Sequence, residues 1–227
     1  MTLAVLTGAS RGIGRATALG LAKRRTNLVL LGRRSPELEE TLQLAERDAE
    51  RVTWVECELA HSDAVERAAE RVLAELGTPD VLINNAGVIE RLPIEATSTL
   101  SWDAQLAVNL RAPFLLTRAF LPGMRARKSG RIVFVASISA TLGSRHAAAY
   151  AASKWGLVGF MKSLAEELRD SGLVTVAVLP GSVATDMLRG SGFPARMSAE
   201  DVASTLIHYA LDANPAHNGG VIEMFGT

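Results

Sequence analysis

Short apolar runs alternate with longer amphipathic stretches from one end of the chain to the other. The runs, rich in Val, Ile and Leu, predict strands at Leu3–Thr7, Asn27–Leu31, Arg51–Glu56, Asp80–Ile83, Arg131–Ala136, Val174–Leu179 and Val221–Met224. A helical period between them predicts helices over Gly12–Lys23, Pro36–Ala49, Ser62–Glu75, Trp102–Met124, Tyr150–Arg169 and Ala199–Leu211. Ser35 reads as an N-cap ahead of Pro36 at the first helical position, and Ser198 as a second N-cap. The strands are apolar nearly throughout, not alternating, as expected of a parallel sheet covered on both faces. Repeated strand–helix units of this length predict a doubly wound α/β fold of about seven strands. No repeat, low-complexity segment or internal boundary divides residues 1–227, so a single domain is expected. Gly190–Pro194, after a strand end, is the one flexible stretch.

Composition narrows the function classes. Lys plus Arg and Asp plus Glu both number 24, so no basic excess points to nucleic acid and no polybasic tract to a membrane surface. No apolar run approaches the ~18 residues of a membrane span. The lone cysteine, Cys57, directly follows a predicted strand, where an inert buried thiol is expected, and no internal disulfide can form. Together with a first strand that starts at about residue 3, this predicts a cytoplasmic protein without a signal peptide. His61, His146, His208 and His217 show no ligand spacing, so no metal is expected.

The chemistry begins directly after the first strand, at Thr7-Gly8-Ala9-Ser10-Arg11-Gly12-Ile13-Gly14. Glycines there permit a sharp turn, close approach of backbone to a pyrophosphate, and tight packing of helix on strand. The free N–H groups at the helix start then face negative phosphate. At the end of the second strand, where a reader of the ribose 2′-hydroxyl carries an acid, this chain has Arg33-Arg34. With Arg11 in the glycine turn, these guanidiniums suit a 2′-phosphate, which predicts NADP in preference to NAD.

Tyr150 and Lys154 stand four apart on a predicted helix, hence on one face, thirteen positions after Ser137. An ordinary phenol titrates near pH 10, about. A lysine ammonium at about 4 Å and an effective dielectric near 20 favours the phenolate by roughly 4 kcal/mol. That attraction corresponds to a fall of up to about three pH units before desolvation opposes it. A proton donor and acceptor usable near neutrality is the expectation.

On these motifs the chain resembles the short-chain dehydrogenase/reductase family, in the subgroup marked by TGxxxGxG and YxxxK. Further matching positions are Asn84-Asn85-Ala86-Gly87 after the fourth strand, Asn109, Ser137 after the fifth, and Pro180-Gly181-Ser182-Val183-Ala184-Thr185 after the sixth. The resemblance implies a Rossmann-type domain whose catalytic residues are Asn109, Ser137, Tyr150 and Lys154. Tyr150 would exchange a proton with the substrate oxygen and Ser137 would hold the carbonyl. Lys154 would lower the phenol and bind the nicotinamide ribose, while Asn109 would fix a water in a proton relay. It places the cofactor against Gly8, Ser10, Arg11, Gly12, Ile13, Gly14, Arg33, Arg34, Asn85, Ala86, Gly87, Tyr150, Lys154, Pro180, Gly181, Val183 and Thr185. Glu58 and Leu59 fall beside the adenine ring, where relatives commonly carry Asp.

The segment Asp186–Met197 is shorter than the helical lid of relatives and is expected to form a loop over an open pocket. A small-molecule carbonyl or alcohol substrate is implied, with a homodimer or homotetramer assembled through the two long helices. Trp155 points about 100° away from Lys154 on its helix and suits a subunit contact. Trp102 reads as helix packing. Reduction of 3-oxoacyl groups on acyl carrier protein is an alternative. Lys128, Arg125 and Arg127 suit the acidic carrier, but Ser171 stands where those enzymes carry a second arginine. A non-catalytic dinucleotide sensor is the alternative of another class. Arg91 and Arg145-His146 fall in loops expected at the mouth of the pocket, where they suit an anionic substrate or simply face solvent.

Overall fold

The computed structural model describes residues 2–226. Seven strands run β1 Leu3–Thr7, β2 Asn27–Gly32, β3 Val52–Glu56, β4 Val81–Asn84, β5 Gly130–Val135, β6 Leu173–Pro180 and β7 Gly220–Met224. All pair in parallel in the order β3-β2-β1-β4-β5-β6-β7. The seven α-helices are α1 Gly12–Lys23, α2 Pro36–Ala45, α3 Ser62–Glu75, α4 Thr99–Leu106, α5 Ala112–Arg127, α6 Ala148–Glu167 and α7 Ala199–Ile207. Leu21, Leu38 and Leu206 of α1, α2 and α7 pack on one face of the sheet with Leu6, Leu30 and Ile83. Val72, Phe120 and Met161 of α3, α5 and α6 pack on the other with Val5, Leu82 and Phe134. Burial on both faces is why the strands lack a polar side.

Strand order reverses at β1, between β2 and β4, opening a crevice beyond the carboxyl ends of the strands. Two capping expectations are met: the Ser35 hydroxyl accepts from Leu38 N, and Ser198 forms a reciprocal box with Asp201. Several strand ends and the ends of α6 shift by one or two residues from expectation, and three helices differ more. The helix expected to reach Ala49 ends at Ala45 and loosens into turns, its last turn lacking any basic residue to meet the helix dipole. The helix expected over Trp102–Met124 begins at Thr99, capped by Ser98, and is interrupted by a π-type turn over Ala107–Arg111. A second such turn, His208–Asp212, replaces the end of the last helix. Hydrophobic spacing does not register a one-residue widening, so these turns were hidden in the pattern. No helix among the described residues is long and apolar enough to cross a membrane, and none of their His, Cys, Asp and Glu side chains cluster as metal ligands.

Candidate active site

The glycine turn is locked to the strand beside it. Thr7 Oγ1 accepts from both Asn85 N and Ala86 N at 3.0 Å. Asn85 Nδ2 returns two bonds, to Thr7 O at 2.9 Å and Gly8 O at 3.1 Å. Gly8 has φ +72°, and a Cβ there would lie 2.8 Å from Ala86 Cα. A Cβ on Gly14 would lie 1.9 Å from Gly8 O, and one on Gly12, φ +53°, 3.0 Å from Thr185 Cγ2. Glycine is therefore required at each position by its neighbours. The start of α1 has no side-chain cap and no acid in its first turn, so its N–H groups remain available to an anion. This backbone cradle, which a side chain would fill, fits the pyrophosphate of a dinucleotide. Ser10 and Ile13 lie within it, and Ser10 O accepts from Arg15 Nε at 3.1 Å.

The arginines expected at a 2′-phosphate are exposed, and each rests on a carboxylate of this chain. Arg11 meets Asp186 at 3.2 Å, Arg33 meets Glu58 at 3.6 Å, and Arg34 meets Glu39 at 2.7 Å with its guanidinium 5.9 Å above the Trp54 ring. Surface pairs of this kind hold weakly, so a dianionic phosphate competes readily for Arg11 and Arg33. Glu58 also accepts from Ala60 N at 3.3 Å, and Leu59 is half-buried against the core. These residues are thus poised near the second and third strand ends without converging on one point.

At the end of β5 the Ser137 side chain caps a short 3-10 turn, accepting from Ser139 N at 3.1 Å. The Tyr150 phenol, buried in the first turn of α6, feels this hydroxyl, which favours the phenolate. Ser139 instead pairs with Ser144 at 2.9 Å. One turn beyond Tyr150, Lys154 Nζ donates to Val135 O at 2.8 Å and lies 5.7 Å from the centroid of the Tyr150 ring. Burial holds the Lys154 ammonium down, to about 8. The expected fall of the phenol is reversed: burial raises Tyr150, and this outweighs the opposing effects of the Ser137 hydroxyl and the Arg91 charge. The reason is geometric. Lys154 Nζ is engaged by a backbone carbonyl, while burial has stripped the phenol of water.

Asn109 is fully buried in the π-type turn between α4 and α5. Its Oδ1 accepts from Val88 N at 2.8 Å, and its Nδ2 donates to Val88 O and to Ser153 Oγ, both at 2.9 Å. Such widened turns recur where a helix must present a group at a site. A Cβ built on Gly87 would lie 3.4 Å from Asn109 Oδ1 and 3.5 Å from Lys154 Nζ, so these two groups flank Gly87. Thr7, Ser153 and Gln105, which accepts from Glu90 N at 3.2 Å, were not singled out from sequence. The adjacency of Thr7 to the glycines and of Ser153 to Lys154 is the only signal for the first two.

Pro180 ends β6, and Gly181 N donates to Met224 O at 2.8 Å. Val183 is buried and bridges Met197, while Thr185 stands against Gly12. Asp186–Leu188 forms one 3-10 turn and the remainder up to Met197 is irregular, as the length of this segment predicted.

A short chain dehydrogenase family model matches residues 2–192. A short chain dehydrogenase of Pseudocercospora fijiensis is 37% identical over 81% of this chain, a match spanning 60% of that protein. A 3-oxoacyl-[acyl-carrier-protein] reductase of Synechocystis is 33% identical over 99% of this chain and 89% of the relative. The structure of a metagenomic short-chain oxidoreductase in complex with NADP superposes with a TM-score of 0.87 at 37% identity, covering 100% of this chain and 97% of that one. The chain belongs to the short-chain dehydrogenase/reductase family of NAD(P)-dependent oxidoreductases, which act between an alcohol and a carbonyl.

Proposed function

We propose that this protein is an NADP(H)-dependent oxidoreductase interconverting a carbonyl and a secondary alcohol on a small soluble substrate, with Tyr150 as general acid and base. The observation that carries the reading is the buried Tyr150 phenol, on which Ser137 acts, with Lys154 one turn away, beside a glycine cradle. When bound, the nicotinamide exchanges hydride with the substrate carbon. Tyr150 donates its proton to the carbonyl oxygen in reduction and accepts it back in oxidation. Ser137 donates a hydrogen bond to the same oxygen as charge gathers on it. Lys154 would hold the nicotinamide ribose, and Asn109, beside it at Gly87, would fix a water through which a proton returns to the phenol. Asn85, Ala86 and Gly87 line the cofactor, and Pro180, Gly181, Val183 and Thr185 fix the ring face that exchanges hydride. Arg11 and Arg33 bind the 2′-phosphate, in keeping with NADP in the metagenomic relative.

Leu100, Phe114 and Trp155 stand exposed on or beside the long helices, and Phe114 meets Phe160 edge to face. They support assembly as a homodimer or homotetramer through that face. The buried free thiol of Cys57, pushed up to about 11 by burial, fits a cytoplasmic setting. The Synechocystis relative keeps 3-oxoacyl carrier reduction as a second reading. Against it, Ser171 stands where those enzymes carry a second arginine, although the exposed Arg125, Arg127 and Lys128 are open to an acidic carrier.

The deciding experiment is a titration with NADPH and NADH followed by a carbonyl panel that includes a 3-oxoacyl thioester, run on wild type and Tyr150→Phe. Tighter NADPH binding, turnover by wild type, and a loss of roughly a hundredfold to ten-thousandfold in the variant are expected. Tight cofactor binding with no turnover of any carbonyl would turn the reading to a dinucleotide sensor.

A further inference from the structure

We propose that Arg91 sets the substrate class of this site: a clamped loop presents its guanidinium at the reacting oxygen, where it pairs with the carboxylate of an oxo acid or hydroxy acid. The inference rests on the oxidoreductase reading above and deepens it.

Alternate N–H groups tie down the loop after β4. Val88 N donates to Asn109 Oδ1 at 2.8 Å, Glu90 N to Gln105 Oε1 at 3.2 Å, and Leu92 N to His146 O at 2.8 Å. Gln105 is itself buried, and its Nε2 reaches back to Ser101. His146 holds a left-handed conformation, φ +60°, shortly before α6 begins at Ala148. The last of the three bonds therefore fastens Arg91's neighbour to the segment that leads into Tyr150.

Burial alternates along this loop. Val88 and Glu90 are exposed, whereas Ile89 and Arg91 are half-buried. Arg91 thus faces inward and the acid beside it faces out. The Arg91 charge is felt at the Tyr150 phenol, where it favours the phenolate. A pinned backbone and half-burial keep Arg91 beside the segment that leads into Tyr150, and its charge effect on the phenol accords with that placing.

The guanidinium has no counterpart in the protein. Among the described residues no side chain or carbonyl forms a hydrogen bond or ion pair with it, although Arg11, Arg15, Arg24, Arg33, Arg34 and Arg127 each have a carboxylate. Asp186, in the loop after β6, is shared by Arg11 and Arg189. A partly desolvated fork of five donors without an acceptor is costly in isolation. A carboxylate fills that fork with two parallel bonds, and a neutral ester or thioester does not. With its carbonyl oxygen on Ser137 and Tyr150 and its carboxylate on Arg91, a substrate is held at two points, which orients the carbon that exchanges hydride.

The test compares 2-, 3- and 4-oxo acids with their methyl esters, using NADPH and the wild-type, Arg91→Gln and Arg91→Lys proteins. Wild type should favour acid over ester in kcat/KM, the acid:ester ratio should fall at least tenfold in Arg91→Gln, and Arg91→Lys should lie between. A wild-type ratio near one, or a ratio unchanged in Arg91→Gln, overturns the inference. Should no carbonyl turn over, the proposed function itself fails, and calorimetric titration of the NADPH-loaded protein with the same acids still decides. Binding of acid but not ester, lost in Arg91→Gln, supports the carboxylate site, while absence of acid binding to wild type refutes it. If Arg91→Gln does not fold, Arg91→Lys and the wild-type ratio carry the decision.

Discussion

Lys154 spends a hydrogen bond on the Val135 carbonyl, 2.8 Å away, at the carboxyl end of the neighbouring strand. The side chain is buried to 3% exposure and has no carboxylate partner among the described residues. Burial brings its titration from 10.5 to about 8. A depressed lysine means that the unfolded chain binds the proton more tightly, so stability rises with pH across the window from about 8 to 10.5 and the full cost is present below it.

Lys154→Met should therefore raise the melting temperature at pH 7, by the equivalent of roughly 1–3 kcal/mol, while abolishing turnover. The gain should shrink as the pH approaches 10.5, the ordinary lysine value. Thermal melts at pH 7 and 10 check both points. A variant destabilised at pH 7 would show that the Val135 bond outweighs the buried charge.

The phenol adds a second pH signature. Tyr150 titrates above its ordinary value of 10.0 because burial dominates. Alcohol oxidation needs the phenolate and should climb steadily from pH 7 towards 10, whereas carbonyl reduction uses the protonated phenol and should stay flat there. Rate profiles in both directions with pre-bound cofactor test this. Oxidation that levels off near neutrality would mean that substrate or cofactor restores the depressed phenol read from the Tyr-Lys spacing.

Truncating Asn109 to Ala removes the partner of Val88 N and Val88 O and one partner of Ser153. Each buried group left unpaired costs ~1–3 kcal/mol, so a substantial loss in denaturant midpoint is expected together with lost turnover. Asn109→Asp keeps the acceptor for Val88 N but removes the donor to both Val88 O and Ser153 and buries a charge, so it too should lose stability. Equal midpoints for wild type and Asn109→Ala would be contrary.

At the glycine turn, Gly14→Ala forces a methyl to 1.9 Å from Gly8 O, so β1 and α1 must separate. NADPH affinity should fall by tenfold or more, read by fluorescence titration, with a lower melting temperature. An alanine at Gly143, where a Cβ meets nothing within 4 Å, is the matched control and should change neither.

Arg33→Ala frees Glu58 as well as removing a cation. NADPH binding should weaken roughly tenfold to a hundredfold, as for a lost charged hydrogen bond, with NADH unchanged or slightly improved. Equal weakening of both cofactors would remove Arg33 from the 2′-phosphate site.

Much of this molecule is local and so was written in the chain. The bounds of β1, α1 and α3 follow from runs of apolar residues and their period, because backbone geometry fixes which spacings share a face. The glycine cradle was legible because only glycine tolerates those conformations and contacts, and the Tyr150–Lys154 pairing because four residues make one helical turn. Packing decided the rest. The π-type turn at Asn109, its bonds to Val88 and Ser153, and the placing of Arg91's charge at Tyr150 join segments far apart in sequence. The sign of the Tyr150 shift belongs to the same class. Spacing supplies the neighbouring lysine, but desolvation depends on everything that surrounds the ring, and only the folded chain determines which of the two prevails.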